Sequence, residues 1–275
     1  MRQLARVSAL KYRETLWSDL FPGNYSTMQC LQPAVCGLES SIDLAESQHN
    51  RVLFRLDGGS GTDKNLSWLL NRGYQILVKG FSARRAHALA RRVQRWDLYA
   101  NDRWLGWVEP TFDLGRPVKV LVKRQLRKDI FKYSYYVTTL SFHSKNALMG
   151  QYDRRGAAEI EQFRADKSAL HLSSRRKQGF AAQTALILLT DLVHNLLADF
   201  HSRALVDSRF AGWGLKRIVR DLLTIPGRLH FQAGQLERID LLSSHQHADE
   251  LIICLEKYCS GRFSNRNGLC LHDLC

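Results

Sequence analysis

Acidic residues are in short supply. The chain has 275 residues, with 26 Asp and Glu against 40 Lys and Arg, a formal charge of +14 and a pI near 9.8. Such an excess of bases favours a polyanionic partner, nucleic acid first and an anionic membrane surface second. The opening Met1-Arg-Gln-Leu-Ala-Arg lacks the apolar core of a secretory signal. An uninterrupted apolar span of about 20 residues is missing as well. The most apolar stretch, Ala181 to Phe200, contains Asp191, His194 and Asn195 and reads as a buried helix. Cytoplasmic location without a membrane partner is the resulting expectation. The six cysteines, at 30, 36, 254, 259, 270 and 275, form one C-x5-C and two C-x4-C pairs without the well-spaced His partner or second pair that a zinc finger needs. His272 between Cys270 and Cys275 leaves a weak metal site as an alternative; reduced thiols are the better reading. Core-forming residues are not lacking. Apolar types make up 45% and charged types 24%, so a folded globular chain is expected, with disorder only at the ends.

The chain reads as alternating elements. Residues 3–20 fit a strand pair or a helix, and periodicity leaves both open. Ser26 to Leu44 reads as a helix capped by Ser26 or Thr27. Arg51-Val-Leu-Phe-Arg-Leu-Asp57 is a short apolar strand running into Gly58-Gly59. Thr62 to Asn71 is a helix and Tyr74 to Lys79 a strand, completing a βαβ unit. Ala83 to Arg95 reads as a basic helix. From Trp96 to Leu140 short aromatic and β-branched runs indicate strands at Trp104–Val108, Val118–Val122 and Tyr133–Leu140. Long helices follow at Met149–Leu170 and Phe180–Phe200, then a short one at Leu215–Leu223 stopped by Ile225-Pro226-Gly227. A strand pair over 228–242 and a helix over His247–Tyr258 close the series. No internal repeat is visible.

Two places carry candidate chemistry. Asp57 ends a parallel strand, where α/β sheets place their sites, although an Asp before Gly-Gly is more commonly a turn residue. Gly58-Gly59-Ser60-Gly61 lacks the Gly-Lys-Ser/Thr ending of a phosphate loop and reads as backbone room beside Asp57. Tyr152, Arg155 and Glu159 fall at about 0°, 300° and 340° on a helical wheel, with Phe163 and Lys167 on the same side. That face could serve metal and phosphate together, although an ordinary Arg155/Glu159 helix ion pair is the commoner cause of such spacing.

The run from Phe54 to Lys79 resembles the second-aspartate region of DDE-class insertion-sequence transposases. Tyr152-Asp-Arg-Arg-Gly-Ala-Ala-Glu-Ile-Glu-Gln-Phe-Arg-Ala-Asp-Lys167 is similar to their third-acid helix, with its Tyr-x2-Arg-x3-Glu-x6-Lys signature. The similarity extends through Ala182-Gln183, His194-Asn195-Leu196 and Ile225-Pro226-Gly227, and covers most of residues 3–250. The resemblance implies an α/β fold: an RNase H-like core in residues 1–95 and 146–258 and a β-rich insertion at 96–145; the tail at 259–275, with few apolar anchors, is expected to fray. It implies that Asp57 and Glu159 are catalytic acids and metal ligands, and that Tyr152, Arg155 and Lys167 contact DNA. Lys167 stands one residue beyond the usual spacing, with Asp166 in the strict slot.

The implied activity is metal-dependent cleavage and transfer of DNA strands at transposon ends, with Mg²⁺ or Mn²⁺ between carboxylates. DNA and a homo-oligomer assembled on it are the implied partners, with Arg84, Arg85, Arg91, Arg92 and Arg95 as a wider footprint. The first catalytic aspartate of the family has no counterpart before Asp57; neither Asp19 nor Asp43 follows a first-strand pattern. The expectation is therefore an N-terminally truncated copy in which catalysis is in doubt. The alternative is a non-catalytic DNA-binding or partner-binding transposase remnant.

Overall fold

A computed structural model describes residues 2–9, 11, 13–141, 144–156, 162–172, 174, 177–242 and 244–263. The chain divides into two compact units. The first comprises 1–8 and 16–158, the second 9–15 and 159–275. The fold is mixed α/β.

The opening segment, left undecided by periodicity, is a strand pair: β1 (Arg2–Ala9) and β2 (Glu14–Pro22) form a two-stranded sheet. Helix α1 (Thr27–Ser41) follows. Its Ser26 cap is held by Gln29, whose Oε1 accepts from the Ser26 N–H at 2.8 Å, a reciprocal capping pattern. Next come β3 (Leu53–Leu56), α2 (Asp63–Asn71) and β4 (Gln75–Lys79), with β3 and β4 parallel. The Thr62 side chain caps α2 by accepting from the Asn65 N–H, as Ser/Thr at that position should.

Helix α3 spans Ala83–Ala90, shorter than the basic run that extends to Arg95. It stops where Arg91 and Arg92 enter a turn. Strands β5 (Asp97–Ala100), β6 (Arg103–Val108), β7 (Lys119–Arg127) and β8 (Ile130–Thr138) form an antiparallel meander. The meander joins the core sheet through β8, which lies antiparallel beside β4. The six-stranded order is β3-β4-β8-β7-β6-β5.

Both faces of this sheet are covered. Ile76 and Val78 of β4 pack on one side with Leu66, Leu69 and Leu70 of α2 and Leu89 of α3. Leu77, between them, packs on the other side with Leu148, Met149 and Tyr152 of α4 (Lys145–Asp153). All three β4 side chains are fully buried, so a continuous apolar run is what this strand needs. Each contributes about 1.5–3 kcal/mol of burial.

The second unit contains α5 (Gln162–Ala169), α6 (Phe180–Arg203) and α7 (Leu215–Arg217), which continues into a π-helical turn at Ile218–Leu222. The hairpin β9 (Gly227–Gln232) and β10 (Gln235–Leu241) and helix α8 (Ala248–Phe263) complete it. Its core gathers Phe200, Leu205, Phe210, Ile218, Leu222 and Leu251. Cys30, Cys36 and Cys254 are free thiols, and burial pushes those of Cys30 and Cys254 upward.

Two sequence expectations need correction. The single helix over 149–170 is not continuous: α4 ends at Asp153, Arg154 lies in a turn and α5 begins at Gln162. Helix α6 forms where expected but is not a buried helix. Leu188, Leu189, Leu192, Val193 and Leu196 are exposed, whereas Asp191 and His194 are buried. Among the described residues, α6 is the one helix long and apolar enough to cross a membrane, with 28% of its most apolar window buried.

Candidate active site

Asp57 follows β3 directly and is exposed at the strand's carboxyl end. Its Oδ1 accepts from the Gly59 N–H at 2.9 Å, so the carboxylate tightens its own turn. That turn packs against the end of β4. A Cβ built on Gly61 would lie 2.0 Å from the Lys79 carbonyl oxygen, so only glycine fits there. A Cβ on Gly58 would lie 3.8 Å from Lys79 Cδ and 3.9 Å from Cε. The Lys79 stem therefore runs along the Asp57–Gly58 turn. Sequence reasoning passed over Lys79. The available signal was its place at the carboxyl end of the strand parallel to β3, followed by Gly80.

The remaining site residues are distributed as follows. Tyr152 is on α4 and only 6% exposed. Its ring meets Tyr136 edge-on at 4.7 Å, and the Arg155 guanidinium lies 5.0 Å from its centroid, within cation–π reach. Tyr152 and Arg155 thus come together, with the tyrosine packed in the sheet's second core. Arg55 of β3 donates to the Gln151 carbonyl at 2.9 Å, tying the strand that leads to Asp57 to the helix that carries Tyr152. Desolvation, then the charge of Arg154, lowers the Arg55 pKa. Glu159 lies outside the described residues, and so does the expected approach of its carboxylate to Asp57.

Lys167 belongs to the second unit. It is exposed on α5, with its ammonium 5.6 Å from the Phe163 ring centroid. Its neighbour Asp166 is fully buried and meets His194 Nδ1 at 2.7 Å. The one-residue spacing difference has a structural counterpart: position 166 points inward and 167 outward.

The basic run around α3 is mixed in character. Arg84, Arg91 and Arg92 are exposed. Arg95 pairs with Asp97 at 3.0 Å. Arg85 is committed to structure: its guanidinium binds both Asp63 oxygens and lies 4.6 Å from the Phe112 centroid.

A divalent ion would find one carboxylate, Asp57, in this turn, with the Lys79 stem beside it. Among the described residues, no three His, Cys, Asp or Glu side chains gather to hold a metal. These residues alone do not fit a two-ion centre, and no chemical step is derived through one. No protein-family model matches the chain, and no curated protein matches it either.

Proposed function

We propose that this chain binds DNA as a protein of the DDE transposase type, with an RNase H-like core. The observation that carries this reading is the exposed Asp57 at the carboxyl end of β3, in a tight turn beside Lys79, within a chain of charge +14. Cationic side chains supply affinity for phosphates by releasing condensed counterions. An acid at a parallel strand's carboxyl end is where a sheet of this type presents its chemistry. Strand cleavage and transfer with Mg²⁺ or Mn²⁺ is the finer form of the proposal, and it requires Glu159 as partner to Asp57. A cytoplasmic setting and a homo-oligomer on DNA belong to the same reading. A non-catalytic DNA-binding remnant is the second reading, favoured by the single carboxylate that the described residues bring to the Asp57 turn.

The test is DNA binding measured by fluorescence anisotropy on a labelled duplex across a salt series. Affinity should fall steeply and linearly in log salt. Changing Arg84, Arg91 and Arg92 together to Glu should weaken binding at low salt by about tenfold or more. Asp57→Asn should leave binding intact. A second arm follows nicking of the duplex in Mg²⁺ and in Mn²⁺. Cleavage that disappears in Asp57→Asn supports the catalytic form; binding without cleavage supports the remnant.

A further inference from the structure

The second unit contains a polar pocket of about 320 Å³ between the π-helical turn and the start of α8. Arg217, Arg220 and Thr224 line one wall, and His245 and His247 the other. We propose that this pocket is a phosphate-binding site, taking either a free phosphate ion or the phosphate of a nucleic-acid strand end. It stands on these side chains and is independent of the DNA-binding reading above.

The arginines are held in place before any ligand arrives. Arg220 donates to both oxygens of Asp221, Nη2 at 2.9 Å from Oδ2. Arg217 Nε lies 3.4 Å from Asp221 Oδ2, and its guanidinium is stacked 3.7 Å from the Trp213 centroid. Each guanidinium has five N–H donors, so Asp221 orients both groups without exhausting either. Two guanidinium charges against one carboxylate leave the wall positive. The hydrogen bond from Arg220, chiefly, holds the Asp221 carboxyl at about 2, so it remains ionised and keeps its grip at neutral pH.

The opposite wall supplies imidazoles. The His245 Nδ1 accepts from the His247 N–H at 3.3 Å, which leaves the neutral ring's proton on Nε2 as a donor. His247 is 8% exposed, packed edge-on against Phe210 and Trp213. Its Nδ1 is buried and has no hydrogen-bond partner among the described residues. An unsatisfied buried polar atom in a pocket wall is uncommon and calls for a cause.

The backbone adds an independent sign. The Leu223 N–H donates to the Ile218 carbonyl at 3.2 Å, five residues back. Such π-turns are rare and concentrate at functional sites. The first turn of α8 is complemented by its own Asp249 and Glu250, and Glu250 is further paired with Arg209 at 2.6 Å. The pull on an anion therefore comes from the side chains rather than from the helix end.

The chemistry selects the ligand class. Two histidines and an aspartate could suggest a metal, but Asp221 is already engaged by two guanidinium groups and the wall repels cations. Two planar forks and an imidazole N–H offer donors in several directions, which suits a tetrahedral oxyanion; the Thr224 hydroxyl donates to the Arg220 carbonyl and adds only a polar rim.

The experiment titrates the full chain with inorganic phosphate, following the His245 and His247 ring resonances by NMR. Parallel titrations use one short oligonucleotide with a 5′-phosphate and with a 5′-hydroxyl. Saturable shifts of both rings are expected. Arg220→Lys keeps the charge but loses the fork, and should weaken phosphate binding by about tenfold. His245→Gln, which leaves the arginines in place, should weaken it less. A clear preference for the 5′-phosphorylated strand assigns a nucleic-acid end, whereas equal affinity for the free ion assigns phosphate itself. Non-saturating shifts in every titration, or unchanged affinity in folded Arg220→Lys, would overturn the proposal. Loss of this site would leave the salt-dependent duplex binding in place, so the two ideas fail separately.

Discussion

Gly61 is the residue on which the Asp57 turn depends. Its missing side chain lets the turn approach the end of β4, where a Cβ would meet backbone rather than a flexible side chain. Gly61→Ala should therefore cost about 1–3 kcal/mol as the backbone shifts. Gly58→Ala should be mild, since the nearest atom to its Cβ would be the Gly80 carbonyl oxygen at 3.6 Å. Urea denaturation of the two variants reads the contrast, and equal midpoints would mean that the approach is not as tight as described. A second residue-scale expectation concerns Tyr99 and Tyr136. Burial, chiefly, raises both phenols from 10.0 to about 12; Tyr99 also donates to Asp153 at 2.8 Å. The folded state holds these protons more tightly than the unfolded chain. Their contribution to stability is thus complete below pH 10 and disappears as pH rises through about 12. Phenolate absorbance should show late-ionising groups that revert to ordinary titration in denaturant; early ionisation of both tyrosines would contradict the packing of β5 and β8.

At the scale of elements, α6 uses its polar residues where apolar ones were expected. Both ring nitrogens of His194 face oxygen acceptors, the Asp166 carboxylate at 2.7 Å and the Arg13 carbonyl at 2.8 Å. The ring is thus held at both nitrogens. Asn195 adds a two-way tie to the Thr15 backbone, donating and accepting at 2.8 Å. These bonds join α5, α6 and residues 13–15 within the second unit. His194→Leu removes the hydrogen-bond partner of the fully buried Asp166 side chain and should cost about 1–3 kcal/mol. Thermal melting with amide exchange at Thr15 would measure it. Unchanged melting and unchanged Thr15 protection would show that the network contributes packing only.

For the whole molecule, the dominant property is charge. Forty basic residues against 26 acidic ones create a field that no single arginine explains. Duplex affinity that stays flat between low and physiological salt would remove the nucleic-acid reading altogether, whatever the fate of Asp57. The arginines are not equivalent contributors: Arg85 is spent on Asp63, whereas Arg84, Arg91 and Arg92 face solvent. The two units also differ in design. The first is a sheet with helices on both faces, and the second gathers a helical core with a hairpin.

The β3–α2–β4 unit was legible in the sequence because its signals are local: an apolar run into Asp57, a Thr62 cap, a second apolar run into Lys79. The hairpin over 227–241 was legible for the same reason, from the turn signals around it. Sequence alone also determined the charge of +14 and placed Asp57 at a strand end. Tertiary structure decided what local patterns cannot encode. Whether Lys79 runs beside the Asp57 turn depends on parallel pairing of β4 with β3. That Asp166 points inward and Lys167 outward depends on a histidine 28 residues away. Which face of α6 is covered was decided by polar bonds to residues 13–15, because a buried carboxylate and buried backbone groups need partners more than exposed leucines need cover.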